Sequence, residues 1–104
     1  SFDLNPLGPT LVNGTIISNA VRLEFTDVGS GLVLRKIKSD EFEIASNTME
    51  FFKADVFINM NQLFLSSPMV KNPRYVRYAW SDTPQAALFN KEGFPASSFM
   101  LEVE

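Results

Sequence analysis

The sequence predicts an all-β chain built as an antiparallel β-sandwich, and three observations carry that expectation. Apolar and polar residues alternate with a period of two in several short runs, as where Val21, Leu23 and Phe25 interleave with Arg22, Glu24 and Thr26. Turn-forming residues punctuate the chain about every 8 to 12 residues. Pro68, Pro73, Pro84 and Pro95 exclude a long helix in the C-terminal part, since each removes a backbone donor and collides with the turn before it.

Each element follows in order. Pro6, Gly8 and Pro9 stiffen the entry to a first strand over residues 10–18, and Ser18-Asn19 joins it by a hairpin to a second over 21–26. Residues 27–31, with two glycines, form a turn before the short apolar piece Leu32-Val33-Leu34. A strand over 41–45 puts Phe42 and Ile44 on one face. Phe52, Ala54, Val56 and Ile58 then alternate with polar Lys53, Asp55 and Asn59, which predicts one strand over 52–58. Asn61 tolerates the positive φ of a tight hairpin, so Met60-Asn61 leads into a strand over 62–67 with Leu63 and Leu65 on one side. Pro68 and Pro73 bound a loop, and a strand over 74–80 sets Val76, Tyr78 and Trp80 opposite Tyr75, Arg77 and Ala79. About seven short strands with this spacing suggest an immunoglobulin-like arrangement, in one domain spanning residues 1–104.

Composition narrows the functions open to the chain. At 104 residues it buries one core, about 65% of the unfolded surface, without room for a deep cleft as well. It has no histidine and no cysteine, which removes Ser-His-Asp and Cys-His catalysis, cysteinyl or histidyl zinc sites and disulfides. A net charge of −3 argues against nucleic acid, and the groups Arg35, Lys36, Lys38 and Lys71, Arg74, Arg77 read as solvated faces. No apolar run reaches the ~20 residues of a membrane span. Glu41 and Glu43 share a strand face but no cleft, and Asp40 and Asp82 lack the Asp-rich loop of a calcium site. No metal or cofactor is expected.

The C-terminal third carries a family resemblance. Val76-Arg77-Tyr78-Ala79-Trp80-Ser81-Asp82, then Pro84, then Leu88-Phe89-Asn90-Lys91-Glu92-Gly93-Phe94-Pro95-Ala96-Ser97-Ser98-Phe99 resembles the end of bacterial sialate O-acetylesterases. Those read there as an Arg-Tyr-Ala/Gly-Trp strand, an Asn-Leu-Tyr-Asn-like step and a Glu-Gly-Leu-Pro-Ala turn. Gly8-Pro9, Gly31-Leu32, Phe42-Glu43-Ile44-Ala45 and Ser66-Ser67-Pro68 extend the likeness upstream. The chain departs from the pattern at Phe89 for tyrosine, at Phe94 for leucine, and at Met100-Leu101-Glu102 where relatives continue Arg-Thr-Asp.

The resemblance implies a parent enzyme with an SGNH-type domain that removes acetyl groups from sialic acid through a serine nucleophile. Such chemistry needs a base for the serine proton and donors for the oxyanion. Neither a histidine nor the family's Gly-Asp-Ser segment occurs here, so no catalytic residue maps onto this chain. The chain then reads as a non-catalytic accessory domain, the C-terminal fragment of a larger esterase, packing on and supporting an upstream catalytic domain of the same polypeptide. By the same analogy it is periplasmic or extracellular. The alternative is a carbohydrate-binding module that takes a sialylated or acetylated glycan with Tyr75, Arg77 and Trp80.

Each candidate also has a structural reading. Trp80 offers a face for sugar stacking or an anchor in a core or domain interface. Arg77 suits bidentate pairing with a sugar carboxylate, or a salt bridge to Glu41, Glu43 or Asp82. Gly93 supplies a backbone angle that residues with side chains avoid and Pro95 sets the direction after it, while Glu92 accepts hydrogen bonds from a glycan or a neighbouring domain.

Overall fold

A computed structural model describes residues 8–35, 41–81 and 85–104. Pro6, Lys36, Lys38, Asp40, Asp82 and Pro84 lie outside the described residues. Among the described residues ten strands run in chain order: β1 (Thr10–Ile17), β2 (Ala20–Thr26), β3 (Leu32–Leu34), β4 (Phe42–Ala45), β5 (Phe51–Lys53), β6 (Asp55–Asn59), β7 (Gln62–Ser66), β8 (Tyr75–Tyr78), β9 (Leu88–Asn90) and β10 (Phe99–Glu102). They form two four-stranded sheets, ordered β1-β2-β7-β6 and β10-β8-β4-β5, with β3-β9 as a small third pair. Every pairing is antiparallel.

The period-two pattern decides which face of each sheet is dry. Val21 and Leu23 of β2 and Leu63 and Leu65 of β7 turn inward from the first sheet; Phe42 and Ile44 of β4 and Val76 and Tyr78 of β8 do so from the second. All eight are 0% exposed, and together they make one core between the sheets. Full burial of each such side chain contributes roughly 1.5–3 kcal/mol. The chain is therefore the all-β sandwich that the alternation predicts. Its two tight hairpins also fall where expected, with Ser18 at φ 59°, and Met60 at 51° beside Asn61 at 63° in the primed-turn geometry that matches strand twist.

The seven predicted strands become ten for three physical reasons. The run over 52–58 keeps its alternation yet divides at Ala54, because β5 pairs with β4 in one sheet and β6 with β7 in the other. Ala54 donates its N–H to the Phe42 carbonyl at 2.9 Å and is 5% exposed, small enough for the chain to cross between sheets. The inward residues stay inward on both sides of the crossing, so the periodicity carries no trace of it. β9 is buried at all three positions, and β10 alternates in burial but carries the apolar Met100 at an outward position, so neither shows a polar–apolar alternation in its sequence.

The strand predicted over 74–80 stops at Tyr78. Ala79 takes φ 55° while donating to the Glu41 carbonyl at 2.9 Å, and this left-handed residue ends the alternation. Trp80 therefore does not share the inward face of Val76 and Tyr78; it is 51% exposed.

Candidate functional site

The C-terminal motif folds back on the β2–β3 loop and clamps it. Asn90, 4% exposed at the end of β9, donates its side-chain amide to the Asp27 carbonyl at 3.2 Å and accepts from the Phe94 N–H at 3.0 Å. Gly93, at φ 95°, closes the turn by donating to the Asn90 carbonyl at 2.9 Å. The Lys91 N–H reaches the Gly31 carbonyl at 2.9 Å, and the Asn61 side chain accepts from the Leu32 N–H at 3.1 Å. Three separate loops are thus tied by amide side chains and backbone groups at this end of the sheets.

Glu92 belongs to the same clamp. Its carboxylate accepts from the Ser30 hydroxyl at 2.6 Å and from the Ser30 N–H at 3.1 and 3.2 Å. The Ser30 hydroxyl first, and then its N–H, hold the Glu92 carboxyl below the usual carboxylate range. Pro95 lies next to the chain entry: a side chain on Gly8 would overlap the Pro95 carbonyl, so the Gly8-Pro9 step and the Gly93–Pro95 turn fit each other only because Gly8 has none. Glu92, Gly93 and Pro95 therefore have structural partners within the chain.

Tyr75 and Arg77 share the outward face of β8, as the alternation predicts. The Arg77 guanidinium donates through Nε to Glu43 Oε1 at 2.7 Å and lies 3.9 Å from the centre of the Phe51 ring. Glu43 is the cross-strand neighbour of Arg77 on β4, which selects it over the other two acids considered. Half-buried Tyr75 sits opposite Ala45. Trp80 follows the positive φ of Ala79 and is 51% exposed, and Glu92 bonds Ser30, whereas Tyr75 and Arg77 share one face of β8. The departing tail is also internal: Met100 pairs with Arg77 in register, and Glu102 bonds Arg74 at 2.7 Å. Phe89 is 8% exposed beneath the Arg35 guanidinium, 3.8 Å from its ring centre, a packing that needs no hydroxyl.

Sequence reasoning missed Asn90, Asn61 and Ser30 as the residues that hold the loops, and Tyr78 as a polar anchor. The buried Tyr78 hydroxyl accepts from the N–H groups of Ala87 at 2.7 Å and Leu88 at 3.0 Å. For Asn90 a signal was present, an asparagine three residues before a glycine in a turn. For Ser30 and Tyr78 none was, since their partners are distant in sequence.

An open groove of about 430 Å³ holds Ser46, Asn47, Asn72 and Arg74, but the Ser46 hydroxyl lies 3.1 Å from that of Thr48 and Arg74 is paired with Glu102. The groove offers no base to take a serine proton.

No protein-family model matches the chain, and no curated protein does. Among solved structures it is similar to XAC1771, a carbohydrate acetylesterase from Xanthomonas citri, with a TM-score of 0.84 and 28% sequence identity. The match covers 92% of this chain and 23% of that one, so the chain spans less than a quarter of the enzyme it resembles. The fold and this likeness define a β-sandwich related to a domain-sized part of a carbohydrate esterase.

Proposed function

We propose that the chain is a non-catalytic accessory domain of a sialate O-acetylesterase-like carbohydrate esterase, packing on an SGNH-type catalytic domain upstream in the same polypeptide. The observation that carries this reading is the coverage: nearly all of this chain corresponds to under a quarter of a carbohydrate acetylesterase, leaving the bulk of that enzyme for the chemistry. The absence of histidine from the sequence agrees with it, since the serine mechanism needs a base. Sialic acid as the substrate and a periplasmic or extracellular location rest on the sequence resemblance.

Trp80 is the anchor of the docking surface in this reading. A half-exposed indole held outward by the backbone of Ala79 offers a large apolar area of the kind that dominates interfaces. The test compares acrylamide quenching of Trp80, the only tryptophan, in the isolated domain and in the longer polypeptide whose catalytic part contains its tryptophans replaced by phenylalanine. Strong quenching in the former and protection in the latter are expected. Equal quenching in both contradicts docking through Trp80.

A further inference from the structure

The chain carries four methionines and no cysteine, so four thioethers are all of its sulfur. Methionine ranks with the residues most often buried, where its flexible stem fills gaps in a core. Here none is inside. Met60 is 88% exposed, Met69 65%, Met49 46% and Met100 37%, and the core between the sheets is built from valine, leucine, isoleucine, alanine, phenylalanine and tyrosine. One exposed methionine is ordinary, but the exclusion of all four decides what an oxidant can do to the molecule.

Three of them stand in turns whose bonds are made by other groups. Met60 opens the β6–β7 turn at φ 51°, between the paired residues Asn59 and Gln62. Met49 sits at φ 65° with its N–H donated to the Ser46 carbonyl at 3.1 Å, and the Met69 N–H goes to the Ser67 hydroxyl at 3.1 Å. Met100 lies on β10 instead. It is in register with Arg77, whose row continues through Glu43 to Lys53, so it stands on the polar outward face of the second sheet.

We propose that these methionines are modification sites for a hydroperoxide, and that the domain takes up one oxygen atom at each without unfolding. The sulfur lone pair attacks one oxygen of hydrogen peroxide and the O–O bond breaks. The proton on the transferred oxygen passes to the departing hydroxide, which leaves as water, so sulfur loses the two electrons that the peroxide gains. The product is a sulfoxide whose oxygen accepts hydrogen bonds. In a core that oxygen would be cut off from water and unpaired, which is how oxidation disrupts packing. At Met49, Met60 and Met69 water solvates it, and at Met100 it enters a row that already holds a guanidinium. Exposure sets the order of reaction, with Met60 and Met69 first, Met49 next and Met100 last. The inference goes beyond the accessory-domain reading and does not rest on it: the domain is a peroxide sink that keeps its shape.

The experiment treats the 104-residue chain with hydrogen peroxide, follows oxygen uptake by intact mass and peptide mapping, and melts the product by circular dichroism. Uptake of four oxygen atoms in the stated order is expected, with the fully oxidised chain melting within about 3 °C of the untreated one. Leu65→Met, a near-isosteric change, puts a thioether in the core for contrast. Its added sulfur should react most slowly and, once oxidised, lower the melting temperature by about 10 °C. The proposal is overturned if the oxidised native chain loses its cooperative transition or melts well below the untreated one, if Met100 reacts before Met60, or if oxidised Leu65→Met melts like the oxidised native chain. The first two of these are read on the native chain alone. None of them bears on docking through Trp80, which the quenching comparison reads separately.

Discussion

The clamp at the loop end and the outer face of the first sheet use similar residue types in different ways. At the clamp, Asn90, Asn61, Ser30 and Glu92 are polar residues in turns, and each makes a hydrogen bond to another loop of the same chain. On the sheet face, Asp55, Asn59 and Phe57 look like an unremarked strand, yet Phe57 keeps most of its ring in water. The lesson is that a polar residue in a turn motif is first a solution to unpaired backbone groups. Phe57, which breaks its strand's alternation, has a local partner too, the cross-strand stack on Phe64.

Removing Asn90 tests the clamp side of this comparison with the largest effect. Asn90→Ala leaves the Phe94 N–H and the Asp27 carbonyl without their partner beside a buried position, and should lower stability by about 2 kcal/mol in urea denaturation. A loss below about 0.5 kcal/mol would make the clamp incidental. Glu43→Ala gives an intermediate case on the other sheet. It strips the half-buried Arg77 of its carboxylate while leaving the Phe51 contact, and should cost about 1 kcal/mol.

Acid sharpens the comparison at Glu92. Because Ser30 holds its carboxyl below the ordinary range near 4.3, the group contributes stability that is complete above that range and lost as pH falls through the folded-state value. The difference in melting temperature between the native chain and Glu92→Gln should therefore be constant above about pH 5 and shrink on further acidification. A gap that stays open at low pH would place the effect outside this carboxylate. Phe57→Ala should have the smallest effect on folding, within about 1 kcal/mol, since only the stacking on Phe64 is lost. A larger loss in thermal denaturation would return Phe57 to the fold.

How far these features were legible in the sequence follows the range of the interactions involved. The hairpins at Ser18-Asn19 and Met60-Asn61, and the inward residues of β2, β4, β7 and β8, depend on neighbours within a few positions, and the alternation predicted them. The Arg77–Glu43 pair was one of three acids considered and needed the strand register to choose among them. The crossing at Ala54 was hidden because inward residues remain inward in either sheet. Trp80 was misplaced because a positive φ at an alanine has no sequence signature. The bonds from Ser30 to Glu92 span 62 positions, beyond the reach of any local pattern. Phe57 was visible as an aromatic residue among polar ones, but only the exposed ring stacked on Phe64 gives that break a meaning.

The most direct test of the accessory-domain account is acetate release by the purified domain alone, from O-acetylated sialic acid and from acetylated xylan. The account predicts no release above buffer, because the chain holds no histidine to take the proton of a serine. Saturable release that persists through purification and disappears on heat denaturation would contradict it, and would place an esterase centre within these 104 residues.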